Sequence, residues 1–505
     1  MNKRISRLGV GLVLCYVLLF LQLNRVQVLQ ADKLNHHPEN FRQIQRDFDR
    51  PRGAIATADG VVLARSVETP GEPYVRLRQY PEGELFAHIT GFFSLEYGAD
   101  GVELSYNDEL AGLTPRQQYD RLADLFVERD RTGDVFLTVR RDLQQAARGA
   151  LGDRKGSVVL LDPATGAVLA MWSWPSYDPN LLSSHDLVGV QESRDFYLAD
   201  PNEPMLARTY RERFFPGSTF KVVTASAGVQ SGLVTPAQPV YPVSSGYVPP
   251  ASTAPIRNFG GGSCGGALFA ILAVSCNTSF AQMGAETLGP DLMVDGAANF
   301  GFNNRPPLDL PDPAVSLFPT DFGAAISGDG GPGSVYENSA ALAQASIGQN
   351  DVQATPLQMA LVAAAVANDG RVPTPHVVAD VRDREGGVLD TVAPGPWRSA
   401  ISGPAAETMG AAMVNVVQQG TAQGLATPGW TVGAKTGTAE ITPDGASSNA
   451  WVVGFAGPDG KPPALAFAVM VEAAPSAGEQ TGSQVAVPIA RQLLDAARPV
   501  VEAGR

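Results

Sequence analysis

Residues 215–225 read FPGSTFKVVTA, and the fold turns on why a lysine stands three places after a serine in an otherwise apolar segment. Lys221 is flanked by Phe220, Val222 and Val223, so folding draws its amine out of water. A buried ammonium either finds a counter-charge or gives up its proton. In the second case it becomes a base. Pro216 and Gly217 predict a turn with a helix starting at Ser218. On that helix Ser218 and Lys221 share a face, which predicts a hydrogen bond between Oγ and Nζ. A hydroxyl at a helix start, next to a neutral amine, is a nucleophile that needs no histidine. The plain alternative is an N-cap serine beside a lysine that snorkels to solvent. Lysine usage bears on the choice. The chain has six lysines against 31 arginines, and Ser218/Lys221 is its single S-x-x-K. Lysine can lose a proton where arginine cannot, although a genome biased toward arginine codons would thin lysine too.

Two further stretches are weak alone. VSCNTSF, residues 274–280, places Ser275 and Asn277 where one helical pattern ends and another begins. They read either as capping residues or as a hydroxyl that relays a proton beside an amide that holds a substrate. AKTGTAE, residues 434–440, reads as a strand with Lys435 and Gly437 on one face and Thr436 and Thr438 on the other. Gly437 leaves room for a ligand backbone along the strand edge, and the threonines suit an anionic terminus. The alternative is an edge strand guarded by a lysine. Ser275 follows Ser218 by 57 residues and Lys435 follows Ser275 by 160. That order is far more specific than any one motif.

Farther out, GSVVLLDPATGAVLAMWSWP (156–175) predicts a hairpin. Helices are predicted from Ser218, from Ala267 and from Thr355, the last with Thr355 as N-cap, Pro356 at the first position and Gly370 as C-cap. The six prolines between Pro306 and Gly333 predict loop. WTVGAKTGTAE, AWVVGFAG and ALAFAVMVEA read as late strands, followed by the helix VAVPIARQLLDAARPV. The hairpin, helices and late strands predict an α/β or α+β domain with one mainly antiparallel sheet. A turn-rich module without evident chemistry, Pro51 to about Asp153, precedes it and closes with the amphipathic RRDLQQAARGAL.

At the N-terminus, residues 8–23 are nearly all apolar and follow Lys3, Arg4 and Arg7. This predicts a cytoplasmic tail (1–7) and a membrane anchor (8–29), with the rest of the chain outside the cytoplasm. A cleaved signal peptide is the alternative, but QLNRVQVLQADK holds no A-x-A-like cleavage site. An oxidising compartment makes Cys264 and Cys276 candidates for a bridge. A continuous helix between them would hold them about 15–18 Å apart, so the bond requires the chain to double back. The net charge of −14 argues against nucleic acid as a partner. Three cysteines and five histidines, without C-x-x-C or H-E-x-x-H, predict no metal. No cofactor is expected.

The ordered S-x-x-K, S-x-N and K-T-G set resembles that of active-serine penicillin-binding proteins and β-lactamases. With RPRGAIATADGVVLA, YPEGELFAHITGFFS, GVELSYNDELAG, GQNDVQATPLQMA and NAWVVGFAG, the chain is similar over nearly its whole length to class B penicillin-binding proteins. The likeness is greatest to the actinobacterial penicillin-binding protein A type. The resemblance implies a transpeptidase domain over 156–500, with a mainly antiparallel five-stranded sheet and helices on both sides. It also implies a non-catalytic (dimerisation or pedestal) domain over 30–153. The stretch before Gly156 is too short for an added glycosyltransferase domain, as class B implies. The implied reaction is D,D-transpeptidation of peptidoglycan stem peptides, with acylation of the same serine by β-lactam antibiotics. The implied roles are Ser218 as nucleophile, Lys221 as base, Ser275 as proton relay and Asn277 as holder of the substrate backbone. Lys435 would supply positive potential, Thr436 and Thr438 would bind the terminal carboxylate beside Gly437, and the Ser218 and Thr438 N–H groups would form the oxyanion hole. Cell-division proteins are a further implied partner class. Asn449 departs from the pattern, since relatives often carry histidine there. Rival readings are a D,D-carboxypeptidase or β-lactamase-type hydrolase, and a non-catalytic cell-division scaffold.

Overall fold

The apolar runs at 156–161 and 168–174 pair as a hairpin because the turn between them is built from side-chain and glycine geometry. Asp162 Oδ1 accepts from the Ala164 N–H at 2.9 Å. Gly166 has φ +83°, and a Cβ there would lie 2.0 Å from Thr374 O, so only glycine fits. In the computed structural model, which describes residues 2–30, 48, 50–71, 74–118, 130–440, 447–474 and 480–504, this hairpin supplies two of the five strands of the central sheet. Its strands are β1 (Gly156–Leu161), β2 (Val168–Trp174), β3 (Trp430–Glu440), β4 (Ser448–Pro458) and β5 (Leu465–Val471). They lie in the order β3-β4-β5-β1-β2, antiparallel throughout. All of β1 and β5 is buried. Helices cover both faces, which is why these strands read as continuous apolar runs rather than alternating ones. Helices α1 (Arg141–Leu151) and α7 (Val487–Glu502) pack together over one face, and α5 (Pro356–Ala367) and α6 (Gly403–Gln419) over the other.

Local chemistry sets the helix ends. Thr355 Oγ1 accepts from Gln358 N–H with Pro356 at the first position, so α5 starts as expected. Its end differs: Asn368 is the C-cap, and Gly370 stands two residues beyond it. Gly370 is required for another reason, since a Cβ there would lie 1.9 Å from Ile401 O. The proline-rich stretch is mostly loop but includes a short strand, Ala325–Ser327, paired with Val335–Tyr336. No continuous helix joins the two cysteines. Strand Cys264–Gly266 pairs with Tyr241–Ser244, α3 (Leu268–Ala273) turns back, and Cys264 and Cys276 form a disulfide with Cα atoms 5.8 Å apart.

The preceding module does not stop where its sequence does. Its six-stranded sheet runs (388–391)-(378–382)-(134–137)-(55–56)-(62–68)-(76–79). Two of those strands therefore come from far beyond the expected boundary near 153–156. One apolar core extends from Ile55 in the module to Leu494 in α7. Beneath the module's sheet, Glu103 is fully buried between two arginines, with Arg52 Nε and Arg78 Nε each donating at 2.6 Å. The N-terminal helix spans Asn2–Asn24 and runs on into a π-helical turn, Arg25–Leu29; the stretch Arg7–Gln27 has mean hydropathy 1.7 and is long and apolar enough to cross a membrane. Between this helix and the module, residues 31–47 and 49 lie outside the described residues.

Candidate active site

Three glycines let three segments meet. The segment after Phe215 forms a tight 3₁₀ turn, Gly217–Phe220, that runs into α2 (Lys221–Gln230). Gly217 has φ +52°, and a Cβ there would lie 2.9 Å from Thr438 O on β3. Gly348 would place a Cβ 2.1 Å from Gly217 O. Across the gap, a Cβ on Gly437 would lie 2.9 Å from Thr219 Cγ2 and 3.0 Å from Pro216 O. This corrects the expected purpose of Gly437. Its missing side chain makes room for the turn that carries Ser218, not for a ligand on the open edge. The strand alternation is as expected: Thr436 and Thr438 line the cavity with Ser218.

The second motif sits at a break between helices. Ser275 lies between α3 and α4 (Asn277–Gln282) with φ +60°, a left-handed conformation that costs a serine about 1–3 kcal/mol and is typical of functional sites. The disulfide at Cys276 and the Asn277 Nδ2 bond to Arg257 O, 3.0 Å, hold the chain just past Ser275.

Lys221 is fully buried, and its Nζ contacts Ser275 O at 2.7 Å, Asn277 Oδ1 at 2.6 Å and Ser275 Oγ at 3.2 Å. Those three contacts use all the polar capacity of the amine. The expected bond from Ser218 Oγ to Lys221 Nζ is not among them, although both residues belong to one turn of chain. Lys435, also fully buried, reaches the same serine from the other wall, with Nζ donating to Ser275 Oγ at 2.8 Å and to Thr436 O at 2.8 Å. No carboxylate pairs with either lysine among the described residues. Burial, and next the nearby Lys435 charge, push the Lys221 amine well below its ordinary value. Burial alone brings Lys435 down to about 7. A neutral Lys221 would spend its two N–H groups on the two carbonyl-type oxygens and turn its lone pair to the Ser275 hydroxyl.

These groups border a cavity of about 1080 Å³ lined by Ser218, Ser275, Asn277, Thr436 and Thr438. Thr421 also lines it and shares a 2.6 Å hydrogen bond with Thr436 Oγ1. Sequence reasoning missed Thr421 because it arrives through α6 packing, with no local motif to mark it. Ser483 and Gln484, just ahead of α7, are further lining residues of this kind. Asn449 lies outside this lining, where its Oδ1 accepts from Ala473 N–H at 3.0 Å.

Convergence of these motifs at the edge of a helix-covered antiparallel sheet defines the penicillin-binding transpeptidases as a class. The chain belongs to that family: the family model "Penicillin binding protein transpeptidase domain" matches residues 156–495, and "Penicillin binding protein A dimerisation domain" matches residues 52–135. Among curated relatives, peptidoglycan D,D-transpeptidase PbpA of Mycolicibacterium smegmatis is 39% identical, over 98% of this chain and 99% of its own. PbpA of Mycobacterium tuberculosis is 36% identical over the same shares. Among solved structures, penicillin-binding protein A from M. tuberculosis as its ceftriaxone acyl-enzyme superposes with a TM-score of 0.79 at 34% identity, covering 90% of this chain and 99% of that one. Its penicillin G acyl-enzyme gives 0.77 at 35%, covering 89% and 100%.

Proposed function

We propose that this chain is a peptidoglycan D,D-transpeptidase that works through a serine acyl-enzyme and is acylated by β-lactams at the same serine. The observation that carries this reading is the meeting of two buried lysine amines, neither paired to a carboxylate among the described residues, at Ser275 Oγ on the wall of the cavity that Ser218 lines. Ser218 Oγ attacks the penultimate D-Ala carbonyl of a stem peptide while the neutral Lys221 amine, its lone pair turned from Ser275 Oγ to Ser218 Oγ once substrate is bound, takes the hydroxyl proton. The tetrahedral oxyanion rests on the Ser218 and Thr438 N–H groups, each such donor contributing about 3–4 kcal/mol. Collapse breaks the peptide C–N bond, and the leaving D-Ala amine receives its proton through Ser275. An amine from a neighbouring stem then attacks the ester, loses a proton by the same route, frees Ser218 and leaves a new amide crosslink. Thr436 and Thr438 hold the terminal carboxylate, Lys435 supplies potential beside them and Asn277 holds the peptide backbone.

The N-terminal helix serves as a single membrane anchor with its basic end in the cytoplasm and the catalytic unit outside. The Cys264–Cys276 disulfide supports that placement, because such bonds persist in oxidising compartments. Fluorescent-penicillin labelling of the full chain tests the chemistry. The parent is expected to label, Ser218→Ala to give no band, and Lys221→Ala to label at least about 100-fold more slowly. Labelling that survives in a folded Ser218→Ala protein would overturn the assignment.

A further inference from the structure

Among the described residues two charged ones line the cavity, Glu440 and Arg257, and the functional reading has used neither side chain. Glu440 ends β3, is exposed, and stands two residues past Thr438 on the same strand face. Arg257 lies across the cleft, on the wall that Asn277 ties down through the Arg257 carbonyl. Among the described residues neither side chain has an ion-pair partner, and the two do not pair with each other. The cleft is thus negative on the strand wall and positive on the facing one.

The acyl-transfer reading above, on which this inference rests, gives that polarity a use. An extended peptide laid along the open edge of β3 advances about 3.4 Å per residue. With its terminal carboxylate at Thr436 and Thr438 and its reacting carbonyl at Ser218, the residue one step further in lies beside position 440. We propose that Glu440 is a specificity residue that reads an ammonium group on the side chain of the residue preceding D-Ala-D-Ala. Arg257 repels the same group and keeps it on the strand wall. Penicillin G, whose side chain carries no cation, draws nothing from this contact.

The test is a ratio measured within one protein. Full-length parent and Glu440→Gln are each given two synthetic peptides ending in D-Ala-D-Ala, one with lysine before that pair and one with Nε-acetyl-lysine, and D-Ala release is followed as kcat/KM. The parent is expected to prefer the free amine about fivefold, the size of a partly exposed ion pair of about 1 kcal/mol. The preference is expected to fall to about one in Glu440→Gln and to reverse in Glu440→Lys, and added salt is expected to reduce it in the parent. A preference that survives Glu440→Gln, or a penicillin-labelled parent with no preference, overturns the subsite alone. A parent that neither labels with penicillin nor releases D-Ala overturns both the subsite and the reading beneath it.

Discussion

The module and the cleft both bury cations, and they resolve the cost in opposite ways. In the module, Arg52 and Arg78 flank Glu103, and Arg52 also donates to Asn107 Oδ1 at 2.8 Å and Glu103 O at 2.6 Å. Burial pushes the Glu103 carboxyl up, but Arg78 and Arg52 together outweigh it and hold the group below the usual carboxylate range. The Glu103 carboxyl stays ionised. In the cleft, Lys221 and Lys435 are as deeply buried, and their hydrogen bonds among the described residues go to hydroxyl and carbonyl oxygens. Guanidinium cannot shed its proton, so it must be paired; ammonium can, and in the proposed mechanism it is left unpaired because a base is needed. The choice between the two basic residues thus separates scaffold from chemistry.

Three experiments probe that contrast. The largest effect is expected from Lys221→Arg, which keeps the cation and removes the base. Acylation by penicillin should fall by about 10²–10⁴-fold, read from labelling rates with thermal unfolding measured alongside. A folded variant that acylates at the parent rate would break the contrast. Next, Glu103→Ala leaves two buried guanidinium groups without their carboxylate and should cost about 3–5 kcal/mol in denaturant unfolding, while the folded fraction still labels with penicillin. The smallest effect concerns pH. Lys435 sits at about 7 in the folded chain, against about 10.4 unfolded. Between those values the unfolded chain holds a proton that the folded one has released, so this group makes stability rise with pH and lose that gain as pH falls through about 7. The stability difference between parent and Lys435→Met should therefore shift in favour of the parent from pH 7 to pH 9. No shift would mean that Lys435 stays charged, as the arginines do.

Much of the catalytic sheet was legible because its strands are buried on both faces and so appear as unbroken apolar runs. β3 matches WTVGAKTGTAE residue for residue. The S-x-x-K, S-x-N and K-T-G stretches were legible through order and spacing, and the structure brings them to one cleft. What stayed hidden was set by distant partners. Ser218 and Lys221 are neighbours in sequence, yet the amine turns to Ser275 and Asn277, more than 50 residues away. Gly437 serves Thr219 and Pro216, over 200 residues back. The left-handed Ser275 leaves no trace in composition, and the disulfide depended on a helix break that periodicity could not reveal. Strand 378–382 reads as an ordinary short strand, and its pairing with 134–137 follows from topology alone.

That shared sheet makes the two parts of the chain poor candidates for separate expression. If the polypeptide were cut near residue 153 and the earlier portion discarded, strand 378–382 would lose its neighbour 134–137 and present a row of bare amide and carbonyl groups to solvent. Self-association of such a fragment, rather than any defect in its cleft, would then limit its yield.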